Sequence, residues 1–197
     1  AADVVTAANS ADFDFGAGAF CVELWYRPVE AGRLQFLVGN RPSSGGDRGW
    51  VITHTSSNAV GCACWNSSGS AFVNMSGGVL TTGQWYHIAV TRSEGIVRVF
   101  LNGAVVASTT TSSSVGASSA ALRISGDPTT TGRHLNGYLD EVRVTKGAAR
   151  YTASFTPADA EHAEGFPAPV GTLRPNGRLR LVLESIRDGL KSFQAHD

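Results

Sequence analysis

The chain has 197 residues, and its 16 basic and 16 acidic side chains cancel, leaving a sequence pI near 7.2. That length fits one domain, or one domain with an appendage, and is enough to bury a two-layer core. The charge balance offers no footprint for a nucleic-acid backbone or an anionic membrane, and no apolar run approaches the roughly 20 residues that span a bilayer.

Glycine (23 residues) and abundant Ser and Thr lie between short apolar runs, the composition of an all-β protein rich in turns. A chain opening at Ala1 without Met and without a visible signal peptide reads as a processed or partial product. Strand patterning starts at "FCVELWYR" (20–27), where Phe20, Val22, Leu24 and Tyr26 alternate with Cys21, Glu23, Trp25 and Arg27. "RLQFLV" (33–38) follows, then a polar, Gly-rich loop (39–49). "WVITHT" (50–55), "AVGCACW" (59–65) and a short "AFVNM" (71–75) come next.

The densest instruction is in "GQWYHIAVTRSEGIVRVFLNGAVVAS" (83–108). Trp85, His87, Ala89 and Thr91 point one way, and Tyr86, Ile88, Val90 and Arg92 the other. Of Trp85 and Tyr86, one should anchor the core and the other lie outside. Glu94-Gly95 and Asn102-Gly103 interrupt the alternation, and Asn-Gly suits the positive φ of a type I′ hairpin turn. The stretch reads as a three-stranded meander. A Ser/Thr-rich connection (108–119) leads to "ALRIS" (121–125), a polar loop "GDPTTTGRH" (126–134) and "GYLDEVRVT" (137–145). Ten or eleven strands without helices between them make a two-sheet antiparallel sandwich or jelly roll, not a βαβ sheet.

Composition changes after residue 156. Residues 157–177 hold four of the seven prolines, and 158–177 reads as a linker. In 178–197, Leu179, Val182, Leu183, Ile186, Leu190 and Phe193 recur at steps of three and four, which predicts an amphipathic helix capped near Asn176-Gly177. A helix this short is marginal alone, so its apolar face needs a partner. The expected organisation is a sandwich over 1–157, a linker over 158–177 and a helix over 178–197.

Cys21, Cys62 and Cys64 are an odd number and show no disulfide framework. They read as small buried hydrophobes of a chain made in a reducing compartment.

The series "GQWYHIAVTR", "VRVFLNG", "LRISG" and "LNGYLDEVRVTKGAARYTASFTP" resembles the laminin G-like, concanavalin A-like jelly roll, in the form found in bacteriophage and prophage structural proteins. "SADFDFGAGAFCVELWYRP" is similar to that family's opening. The resemblance covers about residues 3 to 157 and leaves the tail unexplained. The family's usual first strand, expected ahead of "AADVV", is absent or truncated.

The resemblance implies several chemistries, and the residues bear on each. Glucanases with this jelly roll use two acids on one strand face. Glu23 is the obvious strand acid, but Cys21 and Trp25 are its same-face neighbours, while Asp140 and Glu141 are adjacent and face opposite sides. No "GxSxG" elbow, zinc spacing or phosphate-cradling loop is present, and His54, His87 and His134 stand singly. No catalytic residue is assigned. Relatives with the fold often hold calcium at a loop rim, which makes Asp47 and Asp127 its candidate ligands, although a solvated turn aspartate explains each as well. Sugar binding calls for an exposed aromatic platform beside planar polar groups. Trp50 with Arg48, and Trp65 with Asn66, are the candidates, against the reading that both rings fill the core.

The function expected is a non-enzymatic structural or adhesion module of a phage virion, from tail, fibre or head surface, in contact with host glycan. It would be made in the host cytoplasm and anchored by its C-terminal helix to other virion proteins or to its own copies. The alternative is a secreted, calcium-dependent lectin-type module.

Overall fold

The computed structural model describes residues 4–42, 48–127 and 132–157, together with the backbone of 181–185. In chain order the strands are β1 (Val5–Ala7), β2 (Phe20–Pro28), β3 (Gln35–Gly39), β4 (Gly49–His54), β5 (Val60–Trp65) and β6 (Ala71–Gly77). They continue as β7 (Tyr86–Ser93), β8 (Ile96–Leu101), β9 (Ala104–Thr110), β10 (Leu122–Ile124), β11 (Gly137–Lys146) and β12 (Leu181–Ser185). One sheet runs β1-β10-β3-β4-β5-β6 and the other β12-β11-β2-β7-β8-β9. The strands expected from alternation form β2 to β11, their ends displaced by a couple of residues at most. The fold is the all-β sandwich that the pattern predicts.

Period two explains the two layers. From the first sheet, Leu37, Val38, Trp50, Ile52, Val60, Cys62, Cys64, Val73, Leu122 and Ile124 turn inward. Phe20, Val22, Leu24, Tyr26, Tyr86, Ile88, Val90, Val97, Val99, Val142 and Val144 meet them from the second. Burying such side chains is the main favourable term of folding, at roughly 1.5–3 kcal/mol for each large one. Asn102 (φ 50°) and Gly103 (φ 79°) hold the positive dihedrals expected of the β8–β9 turn, and Glu94 and Gly95 repeat them between β7 and β8. Tyr86 joins the core while Trp85 stays 42% exposed. All three cysteines are buried and unbridged.

Two segments depart from expectation. β1, only three residues long, is too short for alternation to reveal. It pairs with β10 from Val5↔Ile124 to Ala7↔Leu122, where the family pattern suggested a missing first strand. At the other end, residues 181–185 are not helical. Their backbone lies parallel to β11, from Val142↔Leu181 to Lys146↔Ser185. A strand edge offers a row of N–H and C=O groups, and pairing satisfies them where a lone short helix is marginal. Val182 and Leu183 therefore belong to a strand. Leu179, Ile186, Leu190, Phe193 and the linker at 158–177 lie outside the described residues.

The outward faces of the two sheets differ. After β11 the Gly147 N–H bonds Ala19 O, and residues 148–157 cross back over β2, β7 and β8 as a strap. Tyr151 and Phe155 stack with centroids 3.5 Å apart, and Phe155 also meets His87 and Phe100. The strap buries Glu23, His87, Thr91 and Phe100 on a face that would otherwise be wet. No such strap covers the outward face of the first sheet among the described residues, and a groove lies open there.

Candidate functional site

The groove follows from strand register. Phe36 pairs with Thr53, Thr53 with Gly61 and Gly61 with Ser76, forming one cross-strand row. Val51, Ala63 and Asn74 form the next. Side chains alternate along each strand, so these rows face outward while Ile52, Cys62 and Val73 face the core. Small residues in the middle of both rows leave a trough of about 260 Å³. Trp65 stands at one end of the trough, and Leu34, Arg41, Thr55, Met75, Asp127 and Arg133 also line it.

Charge on the rim is ordered. The Arg41 guanidinium lies over the Trp65 ring, 5.2 Å from its centroid, a cation–π geometry. Arg133 Nη1 meets Asp127 Oδ2 at 3.0 Å, and the Asp127 side chain is only 4% exposed against 37% for Arg133. The backbone fixes the same arginine: Phe36 N–H donates to Arg133 O at 2.8 Å.

The structure separates the sequence candidates. Trp65 lines the trough as an aromatic wall. Trp50 does not, because it is 2% exposed, stacks on Phe15 and donates its indole N–H to Phe13 O at 3.0 Å. It is a core ring, as its inward position on β4 requires. Arg48 is exposed but does not line the trough. Asn66 accepts at Oδ1 from Ser68 N, Ser68 Oγ and Ser70 N, which commits it to holding the β5–β6 turn. Asp47 lies outside the described residues. Asp127 lines the trough, but its carboxylate is engaged by Arg133, and a hard cation would have to compete for it. Among the described residues, no three His, Cys, Asp or Glu side chains gather as a metal site would require. Phe36, Arg41, Thr53, Asn74 and Arg133 were not foreseen. The two arginines stand in loops recognisable only as polar, about ninety positions apart in sequence.

A second polar cluster lies under the strap. Glu23 Oε2 accepts from Tyr151 Oη at 2.7 Å and lies 3.3 Å from His87 Nε2, while Oε1 faces Arg150 Nε at 3.3 Å and Arg143 Nε at 3.6 Å. Glu23 is wholly buried. Burial first, and then the Glu23 charge, pushes the Tyr151 hydroxyl above its ordinary range, so it remains a donor. Burial also raises the Cys21 thiol beside it. The acids Asp140 and Glu141 sit at a bulge of β11, where Glu141 N–H bonds Asp140 Oδ1. A carboxylate enclosed by cations and a phenol is a buried anchor, not one of two acids flanking an open cleft.

A two-sheet sandwich with one strapped face and one open, aromatic-walled face defines a jelly-roll module with a surface trough. The chain belongs to the concanavalin A-like lectin/glucanases superfamily, whose model matches residues 1–150. No curated protein matches it significantly in sequence. Among solved structures, the CBM40 module of Ruminococcus gnavus IT-sialidase, bound to α2,3-sialyllactose, superposes with a TM-score of 0.53 at 13% identity, covering 68% of this chain and 85% of that one. Domain 4 of AbnA, a GH43 extracellular arabinanase from Geobacillus stearothermophilus in complex with arabinotriose, gives 0.53 at 19%, covering 74% and 68%. A presumed carbohydrate binding protein from Bacteroides ovatus gives 0.53 at 16%, covering 76% of this chain, which spans only 42% of that protein. At these identities the likeness is one of fold.

Proposed function

We propose that this domain is a non-catalytic carbohydrate-binding module and that it contacts glycan in the trough beside Trp65. The observation that carries the reading is the open trough itself: an aromatic wall with Thr53, Asn74 and Ser76 nearby, on a sandwich whose other outward face is covered. The C–H face of a sugar ring packs on an aromatic surface, while amide and hydroxyl groups bond its hydroxyls. The sugar ligands of the Ruminococcus and Geobacillus modules support the reading, as does the enclosure of Glu23.

A glycan array probed with the 197-residue chain tests it. Saturable binding that is lost in Trp65→Ala, with folding intact, is the expected result. Equal binding by the variant would remove the trough from consideration. Repeating the array in chelator tests the calcium-dependent lectin alternative, which requires the signal to disappear.

The setting we propose is the surface of a virion, with the sandwich outward and the C-terminal segment joining it to the particle or to further copies. The likeness of "DEVRVTKGAARYTASFTP" to the closing segment of phage structural proteins supports this, and in the present fold that segment is β11 and the strap. Immunogold labelling of purified particles, if the chain comes from a phage or prophage, would locate it. Particles free of label would end the virion reading and leave the glycan reading untouched.

A further inference from the structure

Among the described residues that line the trough, arginines outnumber acids, and their arrangement bears on the ligand class. Arg41 and Arg133 both line it, and Asp127 is the acid among its described lining residues. Arg123 stands on the same outward face one strand beyond β3, between the inward-facing Leu122 and Ile124 and opposite Gly39. Asp127 is buried and directed at Arg133, so it holds that guanidinium in place while more than a third of the arginine side chain stays accessible. The Arg41 guanidinium carbon lies over one face of Trp65, 5.2 Å from the ring centroid. Arginine presents a planar fork of N–H groups that matches a carboxylate or sulfate, and a fork already positioned loses less entropy on binding. A volume of about 260 Å³ lies below the roughly 300–1,000 Å³ of drug-sized sites, which suits one sugar ring with its substituent and not an extended chain.

We infer that the trough selects an acidic saccharide, one whose terminal ring carries a carboxylate or sulfate, with the anion met by Arg41 and Arg133 and the ring beside the part of Trp65 that Arg41 leaves uncovered. This rests on the carbohydrate-binding reading above and deepens it by naming the substrate class.

Titration calorimetry of the full chain with lactose, sialyllactose and sulfated lactose tests the inference. The acidic sugars should bind at least about tenfold tighter than lactose in about 0.1 M salt, and the advantage should shrink in about 1 M salt as the ion pair is screened. Arg133→Gln and Arg41→Gln should each collapse the ratio between acidic and neutral sugar. The carboxylate and sulfate arms identify which anion is read. Lactose binding as tightly as both acids, or a preference that survives both arginine substitutions, overturns the inference while the trough remains a sugar site. Binding of none of the three, together with a blank glycan array, overturns the carbohydrate reading and this inference with it.

Discussion

The Tyr151 hydroxyl donates to Glu23 Oε2 at 2.7 Å, joining the strap to the first long strand across 128 positions of sequence. The bond is one fastening among several: Thr91 Oγ1 donates to Tyr151 O at 2.9 Å, and His87, Phe100 and Phe155 surround the ring. Tyr151→Phe keeps the ring and removes only the donor, so it should cost about 1.5–3 kcal/mol, the range for a hydrogen bond to a charged group. Glu23→Gln should cost more, roughly 3–5 kcal/mol, because it leaves buried cations facing a neutral amide. Urea unfolding should show both as lower midpoints with little change in slope. An unchanged midpoint for both would mean that the strap does not depend on this anchor.

A separate prediction concerns acid. Burial holds the His54 imidazole below its ordinary value of 6.5, reinforced by the Arg33 charge and opposed by a bond with Asn58. The ring is enclosed beside the Tyr26 hydroxyl, 2.9 Å from Nδ1, and the Gln35 amide. Its folded value lies below its unfolded one, so the unfolded chain takes up the proton first. The neutral ring's contribution is whole above pH 6.5 and is lost as pH falls from there through the folded value, at no more than about 1.4 kcal/mol per pH unit. Glu30 adds a later loss: hydrogen bonds from Arg33 and Asn136 hold its carboxyl below 4.5, so its contribution goes only as pH drops beneath that. Thermal melts from pH 7.5 to 3.5 should fall in two stages, and His54→Gln should flatten the first. A His54→Gln profile that parallels the parent would show that another group sets the upper stage.

Trp50 and Trp65 each adjoin polar neighbours at a strand end, and of the two it is Trp65, at the entry to "NSSGS", that the sequence marks as able to protrude. Their fates differ by one step of alternation: Trp50 falls on the inward phase of β4 and Trp65 on the outward phase of β5, where Gly49 rather than Trp50 is its partner. Trp50→Ala should therefore cost about 3–5 kcal/mol, as emptying a buried aromatic site does. Trp65→Ala should cost far less and fall on binding. Melting temperature and sugar affinity, measured on both variants, should move in opposite pairs.

The same pair marks the limit of what a linear reading holds. Strand identity is local, and Phe20 to Tyr26, the β7 alternation and Asn102-Gly103 each carry their own instruction. Which outward face stays open depends on where residues 148–157 travel, and that is a long-range outcome. "ARYTASFTP" shows two aromatics at unremarkable spacing, yet Tyr151 and Phe155 close one face and leave the other as the trough. Arg41 and Arg133 were illegible for the same reason, since loops meet only after β3 and β10 pair. The tail shows the opposite failure. Within Leu179 to Phe193, which match a helical period, the described stretch 181–185 pairs as a strand, because the edge of β11 is a tertiary demand that local periodicity does not register.

Gly103 tests the strap from its far end. Its φ is +79°, and a Cβ there would clash with Phe155 O, whose own N–H bonds Gly103 O at 3.0 Å. Gly103→Ala must therefore lift the strap as well as strain the turn, for a loss above about 1–2 kcal/mol. Gly83, at φ +82° with open space around it, supplies the control in which strain acts alone. Limited proteolysis should cut residues 148–157 faster in Gly103→Ala than in Gly83→Ala. Equal rates would mean that the β8–β9 turn does not hold the strap down.

Removing residues 170–197 addresses the C-terminal segment. The core side chains among the described residues all lie between Phe13 and Val144, so the truncated chain should keep its near-ultraviolet circular dichroism and a cooperative melt. β12 is a different matter: its loss strips one edge of β11, and amides of Val142–Lys146 that face that edge should exchange faster while those paired with β2 stay protected. If the segment also joins copies or anchors the module, light scattering should show the full chain assembled and the truncated one monomeric. Exposed edges invite pairing with other chains, so a truncated protein that associates more than the parent would reverse the assignment: β12 would then be a cap on that edge instead of a joint.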